Sequence, residues 1–512
     1  MSFDLIATSA FGLEAVVARE LAGLGYESRA TQTGRIEFAG DDDAVARANV
    51  WLRSADRVLV KVGRFEAHDF ETLFEGVKEL PWERWIPADG RFPVSGRSVR
   101  SGLSSVPAVQ RCVKKAIVTR LLDAHRTQSL PESGPHVAVE VALLKNVATL
   151  TIDTTGDGLH KRGYRDLVGP APIRETLAAA LVQLSFWNPE RPLLDPFCGS
   201  GTICVEAAMI GCNAAPGLQR AFAAESWPAL DADAWPRARE EAKAAARACA
   251  EGIIIGCDVD VDALTIAQRH AIRAGVADSI RFRPTAFTDL EPTGEHGCLI
   301  TNPPYGERLE DRREVLDLYR QIPLVLRRLP TWSFFILTSW KDFEDLAGRR
   351  ADRRRKLYNA TIQCTYYQFH GPKPGAAPLP EPDAAAEDAP VPQQVFGGLG
   401  VKAKEQAGVF ANRLRRMDRH RRRWPTRRGI TCYRIYNRDV PDVPLMVDRY
   451  EDCLHIGEYQ RPHDRSPAEH ADWLDLMVRT AREVLEVPED RTFVKHRRPQ
   501  SGASQYERIR ST

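Results

Sequence analysis

The chain has 512 residues, of which 43% are hydrophobic and 27% are charged, and its formal net charge is +2. This length allows three or four domains, and the composition is typical of a globular protein rather than a fibrous or disordered one. No apolar run approaches the roughly 18 residues of a membrane span, and the N-terminus lacks the basic segment of a secretory signal. We therefore expect a cytoplasmic protein with no membrane partner.

The cysteines argue against a metal site. Ten of them are scattered along the chain without any C-x-x-C pair. Neither a zinc site nor a disulfide framework is therefore indicated, and we expect no bound metal. The basic residues are mainly arginine, 58 of 71, which offers bidentate phosphate contacts that lysine does not.

The first 165 residues read as two small α+β pieces. Residues 1–60 alternate strand and helix, with a strand at Phe3–Thr8 and an amphipathic helix at 12–24. Residues 61–165 continue with a helix at Val106–Leu122 and two strands that meet at a turn, Lys145-Asn146. Taken alone, the exposed basic residues of these pieces are more often solvated faces than ligand contacts.

Residues 166–370 read as an open α/β sheet. An apolar strand leads into Asp195-Pro-Phe-Cys-Gly-Ser-Gly-Thr202, and an apolar helix follows from Ile203. Such a strand, glycine-rich turn and helix lets the backbone approach a cofactor closely. The next strand ends in Asp258, whose carboxylate can accept bonds from two ribose hydroxyls. Because the third glycine of a dinucleotide fingerprint is missing, NAD is a poorer fit.

A short motif after the strand Cys298–Ile300 carries the chemistry. It reads Asn302-Pro303-Pro304-Tyr305. Proline donates no backbone N–H, so the strand ends there and the Asn302 amide and the Pro303 carbonyl lie at its carboxyl end. Two acceptors at this place suit a planar amine, and the tyrosine ring can stack on a base. The alternative reading is a Pro-Pro turn that merely closes a strand.

Together these motifs resemble the amino-methylating class I S-adenosylmethionine (SAM) methyltransferases. The resemblance implies that Asn302, Pro303, Pro304 and Tyr305 are catalytic and that SAM is the cofactor. Relatives have an acid after the following strand that holds the adenine amine, whereas this chain has Ala286. We expect Asp289 or a backbone group to replace it. The implied cofactor-binding residues are Glu175, Asp195, Phe197, Gly199, Gly201, Thr202, Asp258 and Asp289.

The N-terminal pieces and the segment 156–165, Gly-Asp-Gly-Leu-His-Lys-Arg-Gly-Tyr-Arg, resemble the THUMP-containing RNA methyltransferases. That resemblance implies an N-terminal ferredoxin-like piece at 1–60, a THUMP-like RNA-binding domain at 61–165 and a Rossmann-like methyltransferase domain at 166–370. A long insertion, 213–251, resembles that of bacterial large-subunit rRNA guanine methyltransferases, and we expect it to be helical. The RNA contacts that the resemblance to the THUMP-containing enzymes implies are Arg97, Arg100, Lys114, Lys115, Lys161 and Arg162.

The rest of the chain reads as a linker and a small basic α+β domain. Residues 371–395 contain seven prolines and cannot bury a core. Residues 396–512 begin with a segment, 409–428, that holds nine arginines against one acid, so an anionic partner is expected. Arg413, Arg415 and Arg416 are its candidate RNA contacts. This domain resembles the front of a fused second methyltransferase, without the second catalytic domain, and could instead be a docking surface for a separately encoded one.

The sequence therefore predicts SAM-dependent methylation of the N2 amine of a guanine in 23S ribosomal RNA or its precursor. A tRNA guanine-N2 methyltransferase shares most of these features, and an adenine-N6 nucleic-acid methyltransferase shares the four-residue motif. A non-enzymatic RNA-binding assembly factor is a third alternative, supported only by Ala286.

Overall fold

A computed structural model describes residues 2–165, 173–248, 250–291, 294–305, 315–340, 343–372, 401–421, 431–440, 442–459 and 467–497. The predicted linker at 371–395 lies almost wholly outside these ranges. The chain forms two compact units, Met1–Gln393 and Gln394–Thr512. No described helix is both long enough and apolar enough to cross a membrane.

The N-terminal part of the first unit is built on one seven-stranded sheet, in the order β2-β3-β1-β4-β7-β6-β5. Its strands are β1 (Phe3–Ser9), β2 (Ser28–Gln32), β3 (Arg35–Gly40), β4 (Ala55–Glu66), β5 (Val94–Val99), β6 (Ala138–Leu144) and β7 (Val147–Asp153). The helices that pack against it are α1 (Glu14–Gly23), α2 (Asp42–Trp51), α3 (Phe70–Lys78), α4 (Trp82–Trp85) and α5 (Val106–His125).

The strand β4 joins the two N-terminal pieces. It pairs with β1 on one side and with β7 on the other, both antiparallel. The boundary expected at residue 60 therefore falls inside a strand, because the hydrophobic run does not end there. The helix expected at 12–24 begins only at Glu14, since Gly12 has a positive φ of 84°.

The catalytic part of the first unit has a second seven-stranded sheet, in the order β10-β9-β8-β11-β12-β14-β13. Its strands are β8 (Leu193–Asp195), β9 (Ile254–Asp258), β10 (Ile280–Pro284), β11 (Cys298–Thr301), β12 (Ser333–Thr338), β13 (Arg353–Asn359) and β14 (Ile362–Phe369). The helices are α6 (Glu175–Leu184), α7 (Thr202–Gly211), α8 (Ala234–Ala245), α9 (Val261–Ala274), α10 (Ile322–Arg327) and α11 (Phe343–Ala347), and residues 315–319 are also helical.

The first five strands of this order are parallel, whereas β14 is antiparallel to β12 and β13. The central strands β8, β11 and β12 are buried along their whole length, as expected for parallel strands covered on both faces. The fold class predicted from the sequence is confirmed.

The insertion at 213–251 is only partly helical. Its one α-helix among the described residues is α8, which packs against α2 of the N-terminal module. Phe222, Trp227 and Trp235 of the insertion are buried in the N-terminal core, and the salt bridge between Arg47 and Glu241 crosses the same contact at 2.7 Å. The expectation of a helical insertion was wrong. Much of the segment packs against the N-terminal module in a non-helical conformation, although its composition favours a helix.

The second unit has a four-stranded sheet in the order β15-β16-β17-β18. Its elements are α12 (Val401–Arg421), β15 (Cys432–Asn437), β16 (Leu445–Tyr450), β17 (Cys453–Tyr459), α13 (Pro467–Leu485) and β18 (Thr492–Arg497). Phe410 and Leu414 of α12 and Trp473 of α13 are buried with the sheet. The basic segment at 409–428 is described only as far as Arg421.

Candidate active site

Three strands that end at the same edge of the catalytic sheet bring the predicted residues together. Asp195 ends β8, Asp258 ends β9, and Asn302 follows β11. The strand β8 lies between β9 and β11 and is parallel to both. From β8 the chain first builds outward through β9 and β10 and then returns to add β11 on the other side. Ligands of open α/β sheets bind at such a switch point, outside the carboxyl ends of the strands.

The loop between β8 and α7 has the backbone shape that a cofactor cradle needs. Gly199 has a φ of 51°, and a side chain there would point into open space. Gly201 has a φ of 77°, and a Cβ atom would approach that of Ala267 to 2.8 Å. The backbone conformation therefore favours glycine at both positions, and close packing requires it at Gly201.

The carboxylate of Asp258 fixes this loop to the next strand. Its Oδ2 accepts a hydrogen bond from the backbone N–H of Gly199 at 2.8 Å, and its Oδ1 accepts one from the N–H of Asp260 at 3.0 Å. The side chain is half-buried. It can therefore hold the loop and still accept bonds from two ribose hydroxyls.

Asp195 is buried, with 1% of its surface exposed. Its Oδ1 accepts bonds from the Thr301 hydroxyl at 2.7 Å and from the Phe197 N–H at 3.3 Å. Burial raises the pKa of this carboxyl to about 7, and the nearby Asp258 adds to the rise. A cation brought next to Asp195, such as an amino group, would favour its ionised form.

The other expected cofactor contacts differ in how accessible they are. Glu175 begins α6 but is buried, and its carboxylate is paired with Arg165 at 3.3 Å. Burial raises the pKa of Glu175. Thr202 is buried as the first residue of α7. Their side chains are therefore less accessible than the sequence implies.

Phe197 stacks on Phe287, with ring centroids 5.1 Å apart. Phe287 opens a short 3₁₀ turn, Phe287–Asp289, and Asp289 at its end is exposed. Sequence reasoning missed Phe287, although an aromatic residue directly after Ala286 was a visible signal. Phe287 is itself buried, so of the pair it is the partly exposed Phe197 that presents an apolar surface beside the loop.

The four-residue motif leaves the sheet edge as expected, but its tyrosine points inward. The Tyr305 hydroxyl donates a short hydrogen bond to Oδ1 of Asn302, and the ring packs partly buried against the catalytic core. Burial and the neighbouring Cys364 raise the pKa of Tyr305. In this structure Tyr305 therefore does not present a free face for stacking, and the Asn302 oxygen already accepts one bond.

A second tyrosine, which the sequence did not single out, supports the motif. Tyr319 is fully buried. Its hydroxyl donates to the Pro304 carbonyl at 3.0 Å and lies 2.9 Å from the Thr338 hydroxyl at the end of β12. This contact fixes the carbonyl that follows the Pro303 acceptor.

The six candidate RNA contacts of the N-terminal module are not equivalent. Lys115, Lys161 and Arg100 are exposed, although Lys161 is paired with Asp157 at 2.9 Å. Arg97 is exposed on β5 and lies 3.4 Å from Glu140. Lys114 is partly buried and bonded to Glu132 at 2.5 Å.

Arg162 cannot contact RNA from its position. Its side chain is 2% exposed and lies 3.4 Å from Glu206, which is itself fully buried on α7. The guanidinium also donates to the carbonyls of Leu159 and Arg53, and the Tyr164 hydroxyl donates to Glu206 at 3.1 Å. The prediction for Arg162 was wrong because its acidic partner lies far along the chain.

The three candidate contacts of the second unit lie on α12. Arg415 and Arg416 are exposed, whereas Arg413 is half-buried and lies 3.5 Å from Asp439. Within the described residues no cluster of side chains could hold a metal ion.

Comparison with known proteins identifies the three parts of the first unit. Residues 4–59 match the RlmL ferredoxin-like domain, 67–153 match the THUMP domain, and 162–368 match the RMKL-like methyltransferase domain. YpsC of Bacillus subtilis (strain 168), named as an RNA methyltransferase, is 47% identical over 369 residues, which are 72% of this chain and 96% of that protein. The chain belongs to the THUMP-containing, SAM-dependent RNA methyltransferases.

The family includes longer proteins. The ribosomal RNA large subunit methyltransferase K/L of Methylococcus capsulatus (strain ATCC 33009 / NCIMB 11132 / Bath) is 34% identical over 525 residues, which are 99% of this chain and 70% of that protein. The solved structure of SMU.472, named as a methyltransferase and complexed with SAH, is 45% identical with a TM-score of 0.69, over 73% of this chain and 99% of that one. SAM is accordingly the cofactor, and the glycine cradle with Asp195 and Asp258 fits it.

One solved relative carries a different name. A structure from Listeria monocytogenes str. 4b F2365, named a predicted N6-adenine-specific DNA methylase, is 49% identical with a TM-score of 0.70, over 73% of this chain and 97% of that one. The family is thus shared, while the names of these relatives state either RNA or DNA.

Proposed function

We propose that this protein methylates the exocyclic N2 amine of a guanine in large-subunit ribosomal RNA. The observation that carries the proposal is the amine clamp, by which we mean the Asn302 side-chain oxygen and the Pro303 carbonyl. These acceptors lie at the sheet edge beside the cofactor loop. They suit a group with two N–H donors, which an exocyclic amine has and a ring carbon has not.

The clamp orients the base and needs no covalent help. Bound at the glycine loop, SAM supplies an electrophilic methyl group. Asn302 and the Pro303 carbonyl accept the two amine hydrogens, so the nitrogen lone pair is left to face the methyl carbon. With SAM held there, the amine would take its methyl group as the S–C bond breaks, S-adenosylhomocysteine would leave, and the nitrogen would lose one proton to solvent. Catalysis of this kind is mainly positioning.

The cysteines of the site support amine rather than carbon methylation. Transfer to C5 of a pyrimidine requires a thiolate nucleophile, whereas Cys198 is buried with a pKa well above its usual value because of desolvation. Burial likewise raises the pKa of Cys298 to about 12. Both thiols are protonated near neutral pH and therefore poor nucleophiles.

The target base must leave its helix to reach the clamp, because N2 is paired inside a duplex. On binding, it would compete with the Tyr305 hydroxyl for Oδ1 of Asn302. We propose that Tyr305 turns away from Asn302 when the base enters and then stacks on it. Replacing Tyr305 by Phe should accordingly keep turnover, since the ring remains, whereas Tyr305→Ala should lose it.

The choice of ribosomal RNA rests on the K/L relative, which aligns with almost the whole chain, and on the THUMP-matched module. A tRNA guanine or a DNA adenine remains the alternative substrate, and the Listeria relative's name favours the latter. We propose that the exposed arginines of α12 add a second RNA-binding surface. Docking of a separate methyltransferase on this unit remains the alternative.

The test is methyl transfer from labelled SAM to total RNA and to DNA, followed by size fractionation and mass analysis of the nucleosides. The expected product is N2-methylguanosine in the large-subunit fraction. Asn302→Ala should abolish transfer with unchanged SAM affinity, while Asn302→Asp, which keeps an acceptor oxygen, should retain part of it. Label in tRNA or as N6-methyladenine in DNA would overturn the substrate, and wild-type turnover of Asn302→Ala would overturn the clamp.

A further inference from the structure

Three arginines meet where the N-terminal module packs on the edge strand of the catalytic sheet. They are Arg19 on α1 and Arg353 and Arg355 on β13, and we call them the seam cluster. Residues 353, 355 and 357 alternate onto one face of the strand. Leu357 of that face is buried in one core cluster with Leu13, which directly precedes α1, and Val16 of α1.

This packing places Arg19 and Arg353 near enough for their charges to act on Arg355. Arg19 lies one turn beyond Val16 on α1, and Arg355 lies two residues before Leu357 on β13. Both arginines are therefore close in sequence to residues of the contact between α1 and β13. The backbones approach so closely that a Cβ at Gly12 would lie 2.9 Å from the Lys356 carbonyl oxygen. The charges of Arg353 and Arg19 both act on Arg355, and together with burial they lower its pKa.

Among the residues that the structure describes, no acid forms a salt bridge with the cluster. Within the described part of the chain, the charged groups that act on Arg355 include no acid, and Nε of Arg355 is buried with no hydrogen-bond partner there. The nearby acids are engaged elsewhere. Glu14 accepts from the N–H groups of Gly12 and Gly34, Glu20 accepts from those of Arg53 and Ser54, and Asp352 accepts from that of His370 at 2.7 Å.

Like charges held together without a counter-ion repel one another, and an unpaired buried donor adds a further cost. Such an arrangement is stable in a ligand complex when an oxyanion fills it, and arginine binds phosphate in bidentate geometry. We propose that the seam cluster binds a backbone phosphate of the RNA substrate.

The position of the cluster suits the same RNA that enters the active site. At the end of β13, Asn359 lies next to the Tyr305 hydroxyl. Arg355 precedes Asn359 by four residues, or about 13 Å along a strand. A phosphate held there would fix the RNA between the ferredoxin-like part, which carries Arg19, and the amine clamp. The proposal relies on the proposed function only for RNA as the source of the phosphate.

The test compares Arg353→Gln and Arg355→Gln with Arg237→Gln in the full chain. Arg237 is exposed, as Arg353 is, and it is paired with Asp43 and Asp231, so this control makes the same charge change without touching the cluster. Binding of labelled ribosomal RNA is measured at three salt concentrations. We expect each cluster variant to bind about tenfold more weakly and to lower the salt slope by about one, and the control to do neither.

Stability provides the second readout. Without RNA the cluster variants should be as stable as the wild type or more so, because repulsion is relieved, whereas a structural role would make them less stable. Equal affinities and slopes for variants and wild type would overturn the proposal. A second outcome would also overturn it. If inorganic pyrophosphate stabilised the wild type but not the variants, and RNA bound equally to both, the site would bind a free phosphate compound rather than RNA. Turnover at saturating RNA is independent of the cluster and separately tests the proposed function.

Discussion

The Tyr319 hydroxyl should fix the position of the catalytic motif through its hydrogen bond to the Pro304 carbonyl. It joins the Pro304 carbonyl to the Thr338 hydroxyl through contacts of 3.0 and 2.9 Å. The ring packs edge-on against Trp340 and Phe343. Tyr319→Phe keeps these ring contacts and removes only the hydroxyl, so any effect comes from the hydrogen bonds.

Two lost hydrogen bonds should lower the free energy of unfolding by about 1–2 kcal/mol, because each contributes about 1 kcal/mol net. If about 1 kcal/mol of this is lost from the alignment of the clamp, kcat falls roughly fivefold. SAM affinity should not change, because Asp195 and Asp258 lie on other strands. The assay is single-turnover methyl transfer at saturating RNA, with SAM affinity measured separately.

Tyr366→Phe is the matched control. Tyr366 is equally buried, and its hydroxyl donates to the Leu181 carbonyl at 2.9 Å, away from the motif. It should cost comparable stability and leave kcat unchanged. If Tyr319→Phe turned over at the wild-type rate, or both variants slowed equally, the assigned positioning role would be refuted.

Three further predictions test the cofactor site, the buried ion pair and the second unit. Since burial raises the pKa of Asp195 to about 7, the folded chain holds a proton between about pH 4 and 7 that the unfolded chain releases. The contribution of Asp195 to the free energy of unfolding therefore falls as pH rises through that window. Between pH 5 and 8 the free energy of unfolding, measured with urea, should decrease by about 1–4 kcal/mol less in Asp195→Asn than in the wild type. Arg162→Ala should cost about 3–5 kcal/mol, because Glu206 is left buried and unpaired, and a smaller loss than for exposed Lys161→Ala would contradict the burial. A chain cut at about residue 375 should still methylate saturating RNA but bind it more weakly and with a shallower salt slope; identical slopes would favour docking of another protein.

The sequence predicted the parts of the site that depend on local order. Asp195, the two glycines and Asn302 are each defined by a strand and the turn that directly follows it, so their positions at the sheet edge followed from the pattern of strands. The order of parallel strands then brought these residues together, as the resemblance implied. Their contacts with ligand stay predictions, since the structure shows only that they are placed to make them.

The sequence-based prediction failed where the partner of a side chain depends on how the folded chain packs. We expected the Tyr305 ring to be free to stack on a base. Instead, its hydroxyl donates to Asn302, three residues earlier, and its ring packs against the core. Lys161 and Arg162 are adjacent and looked alike, yet one is exposed and the other is buried. Nothing near Arg162 in the linear sequence reveals Glu206, because the pairing depends on how two modules pack.

That pairing explains how an RNA-binding module can serve a remote chemical step. Arg162 joins the Arg53 carbonyl of the N-terminal module to Glu206 of α7, and α7 begins directly after Gly201 of the cofactor loop. The module is therefore attached to the helix that carries the cradle. Since a buried charged pair tolerates little displacement, the separation between the N-terminal sheet and the amine clamp is held nearly constant. An RNA bound on that sheet would then reach the clamp only with nucleotides that lie at a fixed distance from its binding place. The choice of nucleotide would therefore depend on the packing between modules as well as on contacts to the base.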